Sequence, residues 1–146
     1  LTKEQFALIA ESGTPKAQTI AKIGKLFLDF GLHAPTVAFP EIFGVMIEPT
    51  ESFTKTELDK FIEVVKSIKN IVQETPEVLK TVPHFTPVAK VDEVLANKSL
   101  VLYSDISGLP KVYENKIAPG KLEAMEISQL LKEIICAHKD AIKNLS

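Results

Sequence analysis

The sequence predicts an α+β fold, a short sheet packed with helices on one side. Three observations carry that expectation. Segments near residues 15–30, 55–73 and 122–143 repeat apolar residues at helical spacing. Two short runs rich in β-branched residues, Thr36 to Phe39 and Val45 to Ile47, end at proline boundaries. A chain of 146 residues is one domain's worth of length, and three long helices with so few strands cannot form a doubly wound sheet.

Taken in order, Thr2 to Ala10 reads as a helix with Thr2 as N-cap and Gln5 completing a capping box. Ser12-Gly13-Thr14-Pro15 breaks it. The next helix runs from Pro15 to Phe30, with Thr14 as N-cap, Pro15 in its first turn and Gly31 as its stop; Ile20, Ile23, Phe27 and Phe30 share a face. The two β runs follow, joined closely enough to pair as a hairpin. Thr54 and Glu57 form a second capping box that opens a helix over Lys55 to Gln73, with a stripe of Leu58, Phe61, Ile62, Val65, Ile68 and Val72. A single helical turn, Pro76 to Lys80, is expected behind Thr75 as cap. Pro83 and Pro87 keep Val82 to Val91 extended. Asp92 to Ala96 reads as helix, Leu100 to Tyr103 as strand and Ser107 to Gly120 as loop. The last helix spans Leu122 to Lys143, and its stripe runs from Ile127 through Leu130, Ile134 and His138 to Ile142.

Composition narrows the function classes. The formal net charge is -2, so no basic excess exists to attract nucleic acid or an anionic membrane. All 17 cations are lysines, so the chain lacks the arginine fork that grips carboxylates and phosphates in two places. No run of apolar residues is long enough to span a bilayer. A single cysteine excludes an internal disulfide and fits a reducing compartment. The start at Leu1, without a secretory pattern, reads as a fragment or a processed chain.

Several motifs have an ordinary reading. Asp29-Phe30-Gly31 spells the magnesium-binding tripeptide of kinases, but no other kinase element is present, and it reads as a helix end. His138-Lys139 matches the local pattern of Schiff-base lysines, yet Lys139 falls on an amphipathic helix and reads as part of its solvated face. Cys136 and His138 are too close, and have no second half, for a metal set, so Cys136 reads as a partly buried thiol. Asn97-Lys98-Ser99 is a glycosylation sequon by pattern only. Two stretches invite more. His33 sits at a sharp helix-to-strand corner where Pro35 restricts Ala34, a setting that alone favours a structural role. Glu48 and Glu51 lie where a strand runs into a polar turn; they suit acid–base work, or turn formation and charge at the next helix's N-terminus.

Those two stretches also carry a resemblance. Gly31 to Ser52 contains a His33-Ala34-Pro35-Thr36 turn, then Phe39-Pro40, then Met46-Ile47-Glu48-Pro49-Thr50-Glu51-Ser52. It resembles the C-terminal region of the glycine cleavage system P-protein, the decarboxylating glycine dehydrogenase. Ile20-Ala21-Lys22 and Leu28-Asp29-Phe30 before it are similar to the family too, as are Thr56 to Phe61, Pro83-His84-Phe85-Thr86-Pro87 and Val91 to Val94. The likeness covers about Thr14 to Leu102. Leu32 replaces the family's usual aromatic, Phe53 and Phe85 stand where polar residues are common, and Gly24 interrupts the helix. From Ser104 onward no likeness is seen.

The resemblance implies the small C-terminal domain of a fold-type-I, pyridoxal-phosphate (PLP) enzyme. Residues 1–103 would form that domain, and residues 104–146 a loop and amphipathic helical extension packed on it. The whole enzyme would decarboxylate glycine and pass the aminomethyl group to the lipoyl arm of H-protein. The Schiff-base lysine, the ring partner and most phosphate contacts would lie in a large domain or subunit, so this chain alone is expected neither to hold PLP nor to catalyse. It would shape the substrate channel, with His33, Thr36, Glu48, Thr50, Glu51, Ser52 and His84 as possible contacts, no catalytic residue and no metal of its own. Its partners would be the large PLP-binding part, lipoylated H-protein and glycine, without nucleic acid or membrane. The family's setting is the cytoplasm in bacteria and the mitochondrial matrix in eukaryotes. The rival reading is a non-catalytic α+β interaction module derived from that domain, with the last helix as partner surface. A small thiol enzyme centred on Cys136 is a third.

Overall fold

The computed structural model describes residues 1–38, 44–86, 89, 92–99 and 116–144. Thr2 caps α1 (Lys3–Glu11): its Oγ1 accepts the Gln5 N–H at 3.3 Å, and Gln5 Oε1 accepts the Thr2 N–H at 2.9 Å. Ile9 turns this helix's face into the core.

The start of the second helix differs from the expectation. Pro15 sits at ψ 137°, so the chain enters helical geometry only after it, through a 3₁₀ turn at Lys16–Gln18, and α2 is Thr19–Asp29. Thr14 is therefore not a cap. Its side chain is buried and its hydroxyl has no hydrogen-bond partner. The predicted stop holds: Gly31 adopts φ +74°, a left-handed geometry that favours glycine.

The hairpin is present but short. β1 (Thr36–Val37) pairs antiparallel with β2 (Val45–Met46), Thr36 opposite Met46 and Val37 opposite Val45. Helix α3 (Lys55–Glu74) opens with the expected capping box, in which Glu57 Oε2 accepts the Thr54 N–H at 2.7 Å. Ile68 and Val72 of the expected stripe are buried, but Val64, Ser67 and Ile71 complete the buried face in place of the others. Val64, Ile68, Ile71 and Val72 face α1, α2 and the last helix, Phe61 stacks on Phe27 with ring centroids 5.8 Å apart, and Ile62 is 50% exposed. The stripe is rotated because helices pack on α3 from the side of Val64 and Ile71, which the periodicity alone did not single out.

The next turn, α4, is Val78–Thr81, and Glu77, not Thr75, precedes it. Thr75 instead ends α3, giving its N–H to the Ile71 carbonyl at 2.8 Å. Asp92 caps α5 (Glu93–Lys98) through the Leu95 N–H at 2.9 Å. The expected strand Leu100 to Tyr103, and most of the loop before Gly120, lie outside the described residues.

The last helix is two helices. Pro119–Ala124 forms α6; Met125 and Glu126 are extended, at ψ 148° and 140°; and α7 is Ile127–Lys143. The break has a packing cause. A Cβ on Gly31 would lie 2.8 Å from the Glu123 nitrogen, so α6 is docked against the end of α2 and the chain must turn before α7 can cover α4. α7 buries Leu130, Ile134 and His138. The core thus gathers Leu26, Phe27 and Phe30 of α2, Val64 and Val72 of α3, Leu79 of α4 and the α7 residues. Helices dominate and the one described sheet is a two-stranded ribbon, so the α+β expectation holds with less sheet than predicted.

Candidate functional site

Two polar constellations emerge, and they do not coincide. The first borders an open groove of about 480 Å³ between the hairpin and the first half of α3. The α2 stop and Pro35 deliver His33 and Thr36 to one side, and the end of β2 delivers Glu48. Leu58 and Phe61 of α3 line it as well, as do Met46 and Phe53, which are 54% and 51% exposed. Its charged border is acidic: Glu48, Glu57 and Glu123 against Lys60, whose ammonium already donates to the Glu123 carbonyl.

Of the anticipated contacts, the groove brings together His33, Thr36 and Glu48. The His33 ring Nδ1 lies 3.0 Å from the Ala34 carbonyl. An oxygen acceptor there requires the Nδ1–H tautomer, which leaves Nε2 as the ring's proton acceptor when the imidazole is neutral. Thr50, Glu51 and Ser52 are exposed in the following turn and do not line the groove; Thr50 Oγ1 and Ser52 Oγ bond each other at 2.5 Å. Glu57 was not anticipated as a groove residue. Its capping bonds to Thr54 hold its carboxyl below the usual carboxylate range.

His84 is elsewhere. It is buried in the second constellation, a chain of side chains joining α2, α4 and α7. Asp29, fully buried, accepts the backbone N–H groups of His84 at 2.8 Å and Phe85 at 3.1 Å through Oδ1, and the His84 Nδ1–H at 2.7 Å through Oδ2. Thr81 Oγ1 then lies 2.9 Å from His84 Nε2 and 2.8 Å from His138 Nδ1. A hydroxyl has one proton to give. Thr81 Oγ1 also reaches the Val78 carbonyl at 3.1 Å, so that carbonyl and the two imidazole rings share the hydroxyl. Asp29 was missed in the sequence. The signal was a lone acid flanked by Phe27, Leu28 and Phe30 on an apolar helix end.

Cys136 is exposed on α7, not partly buried as expected, because the α7 face that enters the core runs through Leu130, Ile134 and His138. Among the described residues no cluster of histidine, cysteine and acidic side chains could hold a metal ion, and no helix is long and apolar enough to cross a membrane.

The groove does not suit a phosphorylated pyridoxal. Three carboxylates border it, its one lysine is engaged by a carbonyl, and the chain has no arginine. An anionic phosphate placed there would meet like charge without a donor cradle.

Residues 8–84 match the sequence profile of the family described as glycine dehydrogenase, C-terminal domain, which is more than half of the chain. Similar proteins include the probable glycine dehydrogenase (decarboxylating) subunit 2 of Pyrococcus horikoshii, 50% identical over 82 residues, which is 55% of this chain and 16% of that protein. The protein of the same name in Thermotoga petrophila is 52% identical over 81 residues, 54% of this chain and 17% of that protein. That of Thermococcus gammatolerans is 48% identical over 86 residues, 58% of this chain and 17% of its own length. The matched region is thus a small part of each relative. No solved structure matches.

Proposed function

Because this chain belongs to the glycine dehydrogenase C-terminal domain family, we propose that it works as the small wall domain of a PLP-dependent glycine dehydrogenase (decarboxylating) of the glycine cleavage system. The observation that carries the reading is the hairpin groove. All of its lining except Glu123 lies within the family match, and it presents Met46, Ile47 and Phe53 to solvent beside His33, Thr36 and Glu48. Exposed apolar side chains of that size, rimmed by polar groups, mark a surface that another structure covers. The bulk of each relative lies outside the matched region, and in this proposal that larger part covers the groove and carries the cofactor lysine.

In that arrangement the apolar residues seat the large domain and exclude water. His33, held as the Nδ1–H tautomer, offers Nε2 to a proton at the channel wall, and Glu48 borders the same groove. Glycine is the substrate of the whole enzyme, and a lipoylated carrier, the H-protein, takes the product. Residues 1–103 act as the domain and residues 104–146 as an extension on it. The isolated chain is inactive in this account.

The test uses the full-length protein. Met46→Asp and Phe53→Asp should lower glycine-dependent carbon dioxide release at least severalfold, whereas Ile142→Asp, on the exposed part of α7, should not. His33→Ala should lower turnover more than thermal stability. Equal effects of groove and α7 substitutions would remove the groove from the account.

A further inference from the structure

Two carboxylates on the border of the hairpin groove, Glu48 and Glu123, have no cation paired with them among the described residues. We propose that the groove takes a segment of the larger part of the same protein that carries an apolar side chain beside a lysine or arginine, with Glu48 and Glu123 receiving the cation. This rests on the wall-domain reading and names the chemistry of what covers that wall.

The charge of this border is not balanced within the described residues. Glu57 is committed to the Thr54 cap, where its Oε2 accepts the Thr54 N–H and the Thr54 hydroxyl, each at 2.7 Å. The ion pairs lie elsewhere, Lys55 with Asp59, His84 with Asp29 and Lys143 with Asp140. Lys60, which lines the groove, gives its ammonium to the Glu123 backbone carbonyl and not to a carboxylate. Glu48 and Glu123 are exposed, as are Met46, Ile47 and Phe53 of the same groove. A structure that covers the apolar side chains therefore also takes the two carboxylates out of water. A carboxylate that leaves water without a partner is costly. A covering segment with a cation at that border removes the cost, and one with only apolar atoms there does not.

Packing fixes Glu123 at the border. Leu122 before it is buried in the core at 3% exposed. The Glu123 nitrogen lies where a Cβ on Gly31 would be 2.8 Å away, and the Glu123 carbonyl accepts the Lys60 ammonium. α6 therefore supplies one of the two unpaired charges, although it lies beyond the matched residues 8–84. The choice of partner is thus shared between the hairpin, through Glu48, and the extension, through Glu123.

Hydroxyl-radical footprinting of the full-length protein reads the cover, because Phe53 and Phe85 share a side-chain type and are 51% and 4% exposed in this chain. With the groove filled, Phe53 should oxidise about as slowly as Phe85. Glu48→Gln combined with Glu123→Gln, both at exposed positions, should speed Phe53 oxidation severalfold while Phe85 stays slow. Glu133→Gln, on the exposed side of α7, should change neither. Raising salt from about 0.05 M to about 0.5 M should speed Phe53 oxidation in the native protein and not in the double variant, since salt screens a charge pair at a rim. Phe53 oxidising much faster than Phe85 in the native protein would overturn this inference and the wall-domain reading together. A protected Phe53 that fails to respond to salt or to the double substitution, or a Phe85 that accelerates in parallel, would overturn the cation alone and leave the wall in place.

Discussion

The Asp29 carboxylate grips His84 twice, through the residue's backbone N–H at 2.8 Å and its ring Nδ1–H at 2.7 Å. The grip fixes the chain reversal after α4 to the end of α2, with the Phe85 N–H as a third donor at 3.1 Å. Asp29→Ala leaves three buried donors without an acceptor. Urea unfolding should show a loss of about 3 kcal/mol, the range for breaking a buried charged network. A loss below about 1 kcal/mol would mean that water replaces the carboxylate easily.

Thr14 gives the opposite case. Its hydroxyl is buried without a partner, a cost of about 1–3 kcal/mol by protein mutational data. Thr14→Val keeps the shape and removes the polar atom. The unfolding midpoint should rise, by about 1 kcal/mol of stability, with no change in the denaturant slope.

Gly31 is required twice. Its φ of +74° disfavours a side chain, and an added Cβ would approach backbone atoms of α6, Leu122 C at 2.9 Å and Glu123 N at 2.8 Å. The conformational part alone is about 1–2 kcal/mol. Gly31→Ala should therefore exceed that in thermal unfolding and should raise exchange in α6 first.

The Thr54–Glu57 cap is acid-sensitive. Hydrogen bonds from Thr54 to its side chain lower the Glu57 pKa from its usual 4.5, so the cap's contribution is complete above that value and drains away as pH falls below it. Exchange in the first turn of α3 should rise below about pH 4.5 in the native chain and change little with pH in Glu57→Gln.

Local chemistry made much of this legible. Thr2–Gln5 and Thr54–Glu57 name their helix starts because a capping box is a contact between near neighbours, and Gly31 names a stop for the same reason. His33 and Glu48 were found through a motif and meet at one groove. What the sequence hid depends on packing at long range. Asp29 and His84 are 55 positions apart, and Thr81 and His138 57, so no local pattern couples them. The rotation of the α3 stripe and the break at Met125–Glu126 likewise follow from neighbours: α1 and α7 on α3, and α6 under Gly31.

The claim that matters most is that these residues build a wall and not the reaction centre. Supply the purified chain with PLP, glycine labelled in its carboxyl carbon, and a lipoylated carrier protein, and collect the labelled gas, with the full-length enzyme as the positive control. The account predicts release from the full-length enzyme and none above background from the chain alone. Sustained, multiple-turnover release from the chain by itself would contradict it.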